Sequence, residues 1–225
     1  MTTPDQKYLF GGSHPWSTSD WTSSDDRVRG GSSISHLTPS PDKKSALFTG
    51  ILDIHTLGGA GFASQRTKVE KTWDLSSFDG LELSLNAEKS DEKQYTLILK
   101  DEILPKRPDG RERSSISWEF DFKPSERVIV RWGDLKATYR GKEVRDVEPL
   151  NLRGVKRVSV MMRSFFGTQE GDFKLAINSI AGWNDEDGLE KRGGVAVETR
   201  EDIDEDSIYG EEEQSWSQSG CCLIM

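Results

Sequence analysis

Glu119 and Asp121 stand two residues apart, the spacing that turns two side chains to one face of a β-strand. Paired carboxylates can act as acid and nucleophile in glycoside hydrolysis. Here Ile116, Trp118, Phe120 and Phe122 alternate with them and give the strand an apolar second face, so a solvated polar face explains the pair without catalysis. The histidines His14, His36 and His55 are scattered, and no cysteine lies near enough to complete a zinc set. Gly59-Ala60-Gly61 starts like a dinucleotide loop, but Ser64 takes the place of the third glycine and no helix follows, which predicts a hairpin turn instead. Asn184-Asp-Glu-Asp-Gly fails as a calcium loop: with Gly188 in the sixth position, Trp183 and Gly194 fall where carboxylates are needed. There is no Gly-x-Ser-x-Gly, Walker A or His-Glu-x-x-His pattern. The expectation is a chain without catalytic residues, cofactor or metal.

Binding chemistry has better candidates. Trp21 leads into Asp25-Asp-Arg-Val-Arg-Gly-Gly-Ser32, a polar turn before a strand. Asp25 and Asp26 can accept backbone N–H groups, Arg27 and Arg29 can pair with them, and Gly30 and Gly31 allow positive φ or a close backbone approach. Trp21, Asp25, Asp26, Arg27, Gly30, Gly31 and Ser32 therefore form either a structural turn pinning the first strand or a partner-binding surface. Of the seven tryptophans, Trp16 and Trp21 are the candidates for a binding face, and the others read as core plugs or lids.

The elements that hold these residues are strands. Leu81, Leu83 and Leu85 alternate with polar neighbours, as do Tyr95, Leu97 and Leu99, then Val158, Val160 and Met162, then Phe173, Leu175 and Ile177. Further strands are expected at 32–37, 46–54, 61–66 and 127–130. Turn signals recur at 56–59, 78–80, 107–110 and 140–142. About nine short strands with Gly, Pro and Asp between them predict an all-β, antiparallel sandwich of the jelly-roll kind, with a closed barrel as the alternative.

The chain carries a net charge of −9, unevenly spread. Residues 184–225 hold 13 Asp/Glu and 3 Lys/Arg, leaving 1–183 close to neutral. Two regions follow: a folded domain over 1–183 and a disordered acidic tail over 184–225, too poor in apolar residues to offset the entropy of ordering it. A near-neutral domain has no electrostatic footprint for nucleic acid. No run approaches the ~20 apolar residues of a membrane-spanning helix. The opening Met1-Thr-Thr-Pro-Asp-Gln-Lys does not read as an import or secretory leader. Both cysteines lie at the far end, so no disulfide is expected in the core and a reducing compartment is the natural setting. Cys222-Leu-Ile-Met225 fits the C-a-a-X pattern, with prenylation on Cys222 and Cys221 a candidate for palmitoylation. These features predict attachment to the cytosolic face of a membrane.

In order and spacing, several segments resemble the complex I intermediate-associated protein 30 family: the Trp21 to Ser35 turn and strand, Phe48-Thr-Gly-Ile-Leu, Gly61-Phe-Ala-Ser-Gln-Arg66, Trp73-Asp-Leu-Ser-Ser-Phe-Asp-Gly-Leu, and Gly171-Asp-Phe-Lys-Leu-Ala-Ile-Asn-Ser-Ile. The likeness covers about 1–183. It implies a galactose-binding-like jelly roll without catalysis, acting as a chaperone in the assembly of mitochondrial respiratory complex I. Client proteins, including respiratory-complex subunits or assembly intermediates, are then the expected partners, and the mitochondrion the alternative location. A rival reading for the same fold is a carbohydrate- or small-ligand-binding module.

Overall fold

The computed structural model describes residues 7–68, 71–108 and 110–185. The segment from 186 onward, with most of the acidic stretch and both Cys221 and Cys222, lies outside the described residues. Thirteen strands occur among the described residues, joined by loops and five short 3₁₀ turns, with no α-helix. They are β1 (Tyr8–Phe10), β2 (Trp21–Ser23), β3 (Ile34–Pro39), β4 (Ala46–Leu52), β5 (Phe62–Thr67), β6 (Gly80–Leu85), β7 (Tyr95–Lys100), β8 (Ser117–Phe122), β9 (Arg127–Arg131), β10 (Lys136–Tyr139), β11 (Lys142–Glu143), β12 (Arg157–Arg163) and β13 (Gly171–Trp183).

The strands form two sheets in which every pairing is antiparallel. One runs β3-β4-β13-β6-β9, with β1 also on β13; the other runs β11-β10-β8-β7-β12-β5-β2. The molecule is thus a sandwich, and the barrel alternative falls away. Strand β13 pairs with β4 as far as Ile177 and with β1 beyond it, and its register on β6 shifts between Ile177 and Ser179.

Period-two alternation builds the core. Leu81, Leu83 and Leu85 of β6 meet Leu97 and Leu99 of β7 and Val158, Val160 and Met162 of β12 in one continuous buried cluster. Burying each such side chain contributes roughly 1.5–3 kcal/mol. The other residues of β5, β7, β8, β10 and β12 point outward, and that outer face bears on function.

Four strands were not foreseen: β1, β2, β10 and β11. At two to four residues they are too short for alternation to show. The 59–61 segment is not a hairpin either. It joins β4 and β5, which belong to different sheets, so it arches across the end of the sandwich.

Candidate functional site

The Trp21–Ser35 segment closes one end of the sandwich. Asp26 has 0% exposure, and its carboxylate accepts from Ser33 N at 3.0 Å, Ser33 Oγ at 2.6 Å and Phe62 N at 3.1 Å. Asp25, also buried, accepts from Ser35 Oγ at 2.6 Å, Ser35 N at 3.3 Å and Ser64 N at 3.0 Å, and pairs with Arg27 at 3.2 Å. Ser33 and Ser35 lie just before and within β3, while Phe62 and Ser64 belong to β5. The two aspartates therefore clip one sheet to the other. Gly30 takes φ +85°, the left-handed region that costs a side chain least when there is none. Gly31 is needed for room: a Cβ there would stand 2.3 Å from Asp26 Oδ1. Arg29 lies over the Phe62 ring at 5.4 Å instead of pairing with an aspartate. Ser32 Oγ meets Thr56 Oγ1 at 3.1 Å across the same loop cluster.

Trp16 and Trp21 do not form a binding face. Both are buried and stack on each other, with ring centroids 5.8 Å apart, and both lie against Phe10. Trp16 Nε1 donates to Asn178 O at 3.0 Å. Of the turn, only Arg27, Val28, Arg29, Gly30 and Ser32 are exposed.

From this end a groove of about 570 Å³ runs along the outer face of the seven-stranded sheet. Its floor is built from the outward positions of five strands: Arg66 on β5, Ile98 and Lys100 on β7, Glu119 and Asp121 on β8, Thr138 on β10, and Arg157, Ser159, Met161 and Arg163 on β12. Arg163 donates to Glu119 Oε2 at 2.8 Å and to both Asp121 oxygens, at 2.6 and 2.7 Å. Arg157 donates to Glu112 at 2.9 and 3.3 Å, and Arg66 pairs with the same carboxylate. Burial pushes Glu112 up, but the hydrogen bonds from Arg157 and Arg66 outweigh it and hold its carboxyl below the usual range. Burial, reinforced by repulsion from Arg157, brings the Lys100 ammonium down to about 8. Lys100 Nζ donates to Ser115 O at 3.0 Å and Ser115 Oγ at 3.2 Å.

The solvated-face expectation for Glu119 and Asp121 is thereby corrected. Glu119 is only 7% exposed and also accepts from Thr138 Oγ1 at 2.7 Å, while Asp121 accepts from Thr96 Oγ1 at 2.6 Å. Both carboxylates are committed to Arg163, an arrangement suited to holding a polar surface in place.

The rim carries the most unusual backbone in the structure. Phe165, Phe166 and Gly167 all have positive φ, at 44°, 61° and 84°. Bulky residues rarely adopt that region, and successive ones more rarely still. Phe165 lies against Arg163, with the guanidinium 4.5 Å from the ring centroid, while Phe166 is 99% exposed. Ser164 N donates to Gly61 O at 3.0 Å, which sets this loop beside the 55–61 arch and the Asp25–Ser33 turn. Neither the groove nor Phe166 was identified from sequence. Phe165-Phe166-Gly167 carries no periodic signal, and the groove residues read singly as ordinary polar strand positions. The available sign was that the outward positions of β5, β8 and β12 repeat Arg, Glu and Asp.

Among the described residues no cluster of His, Cys, Asp and Glu could hold a metal ion, and no helix is long and apolar enough to cross a membrane.

A family model described as Complex I intermediate-associated protein 30 (CIA30) matches residues 8–177, from β1 well into β13. Uncharacterized protein C9E9.15 of Schizosaccharomyces pombe is 44% identical over 181 residues, 76% of this chain and 81% of that protein. Among solved structures, the family 11 carbohydrate-binding module of the Clostridium thermocellum cellulase Lic26A-Cel5E superposes with a TM-score of 0.51 at 11% identity, covering 82% of this chain and 99% of that one. The same kind of module in complex with a mixed-linked β-1,3-1,4 tetrasaccharide gives a TM-score of 0.50 at 10% identity, covering 81% and 98%. At such identities the likeness shows a shared sandwich and nothing further.

Proposed function

The chain belongs to the complex I intermediate-associated protein 30 family, and from that premise we propose that it is a non-enzymatic assembly factor that holds a client protein at the loop end of its sandwich. The family match across the sandwich carries this reading. The loop end supports it: Phe166 is a fully exposed aromatic on a left-handed backbone and lines the groove together with the exposed Arg29. An apolar ring held out in solvent at a conformational cost fits an anchor for a partner's pocket. The groove's three inner carboxylates are all engaged by arginines, which argues against a free general base. Subunits or assembly intermediates of respiratory complex I are the first clients to look for. Affinity purification of the full chain, native and Phe166→Ala, tests the reading. Enrichment of such subunits by the native chain and their loss with Phe166→Ala is expected. No enrichment, or equal recovery by both forms, would count against it.

Membrane attachment through a prenyl group on Cys222, with an acyl chain on Cys221, belongs to the same proposal and rests on sequence. One lipid chain gives only marginal attachment, so a second signal is needed. Cell fractionation should find the native chain in membranes and Cys222→Ser in the soluble fraction. A native chain that fractionates with mitochondria, its terminal peptide unmodified by mass spectrometry, would overturn the anchor and support the mitochondrial alternative.

A further inference from the structure

The groove is far more basic than the chain that carries it. Its lining holds eight Lys/Arg against four Asp/Glu, a net of +4, on a chain of net −9. It also adjoins a second hollow of about 560 Å³ that shares Arg113 and Arg140 and adds Arg107. We infer that the groove is a binding site for a phosphate monoester of a polyol, held by the guanidinium and ammonium groups of β5, β7, β12 and the rim. This goes beyond the client-holding role, and either can fail without the other.

Four observations carry it. First, Arg157 is 5% exposed, and its Nε has no hydrogen-bond partner; the Nε atoms of Arg66 and Arg163 are likewise buried and unpartnered. Buried donors are rarely left unspent, and three on one sheet face mark a floor whose polar complement is incomplete. Second, the excess of positive charge exceeds what one carboxylate can balance, whereas a phosphate monoester brings roughly −1.5 to −2 charges and three acceptor oxygens. Arg157 and Arg163 each donate from both Nη atoms to Glu112, Glu119 and Asp121, so such oxygens meet the remaining N–H groups of those two arginines together with Arg113, Lys136 and Arg140. Third, the Arg163–Glu119 and Arg157–Glu112 pairs, at 2.8 and 2.9 Å, set donor beside acceptor, as adjacent hydroxyls of a polyol require. Fourth, aromatic rings sit only at the loop end of the groove. Phe62 and Phe165 lie under the guanidiniums of Arg29 and Arg163, and Phe166 stands on the rim, while the middle of the floor offers Ile98 and Met161 where a neutral sugar would need a ring to stack on. Charge dominates that middle stretch, and about 570 Å³ suits a small molecule. Lys100 adds a proton-linked element. Its ammonium is held near 8 by burial and by Arg157, so an arriving anion favours its protonation.

The ligand chemistry has two sources, a soluble sugar phosphate or the inositol phosphate headgroup of a lipid. Calorimetry on the full chain with glucose 6-phosphate, glucose and inositol 1,4,5-trisphosphate is paired with flotation of phosphatidylcholine vesicles with and without phosphatidylinositol 4,5-bisphosphate. Phosphorylated probes should bind, glucose should not, and the affinity should fall with added salt. Arg163→Gln should weaken binding about tenfold, the loss of one charge-assisted contact. Because Arg163 also ties Glu119 and Asp121, the exposed rim pair Lys136→Ala/Arg140→Ala supplies an independent reading and should weaken binding without lowering the melting temperature. Flotation only with the phosphoinositide, competed by inositol trisphosphate, would assign the lipid source; calorimetric binding without flotation would assign the soluble one. Glucose binding as well as its 6-phosphate, or affinities unmoved by both sets of substitutions, or no binding of any probe, would overturn the inference.

Discussion

A carboxyl group with no exposed surface needs donors in place of the water it has lost. Asp26 has three of them, from two sheets, and the loop end depends on it. Asp26→Ala would leave the N–H groups of Ser33 and Phe62 without acceptors, so a loss of about 3–5 kcal/mol is expected by chemical denaturation. Asp26→Asn should recover only part of this, because both oxygens accept from backbone N–H groups and one of them would become an NH₂. Unchanged stability in both variants would show that the clip between β3 and β5 is not structural. Lys100 offers a second test at this scale. Burial, and then Arg157, disfavour its charged form, so its NMR titration should centre near 8, below the ordinary 10.5. The linkage follows from the sign: between those values the unfolded chain binds the proton that the folded chain has released, so Lys100 makes stability rise with pH across that window. Arg157→Gln should move the midpoint upward. A midpoint at the ordinary value in the native chain would contradict the crowding of cations on the groove floor.

At the scale of elements, the loop that follows β12 is where the fold gives up stability. Two phenylalanines in the left-handed region cost roughly 1–2 kcal/mol each relative to an unstrained backbone. Phe166 has no compensating burial. Phe166→Gly should therefore raise the melting temperature while abolishing client capture, the signature of strain kept for a function. A fall in stability would mean that the ring packs on something in the free protein. The strands themselves were legible because one face of each is apolar: Leu81 to Leu85 and Val158 to Met162 announce both period and core. The edge strands β2 and β11 were not, since two or three residues show no period. The groove was hidden for a different reason. Arg66, Glu119, Asp121, Arg157 and Arg163 come from three strands far apart in sequence, and only the sheet order β8-β7-β12-β5 makes them neighbours.

For the whole molecule, the sandwich differs in chemistry from surface to surface. The interior between the sheets is apolar and closed by Trp16, Trp21 and Phe10 at one end. The outer face of the seven-stranded sheet is polar, basic and grooved, and the loops at its end bring together the Asp25–Ser33 turn, the 55–61 arch and Phe166. The sequence alone marks the turn as polar and glycine-dependent. Its division into a buried clip, Asp25 and Asp26, and an exposed rim, Arg27 to Gly30, depends on which strands it bridges, and that is a property of the assembled sheets. Protein binding at that rim is the reading on which the functional account rests. It is tested most directly by placing the photo-crosslinker p-benzoylphenylalanine at position 166 of the full chain in cells, with the buried position 173 as a control. Crosslinks from 166, but not from 173, to subunits or assembly intermediates of complex I are the predicted result; a chain that folds normally and gives no protein crosslink from 166 would contradict it.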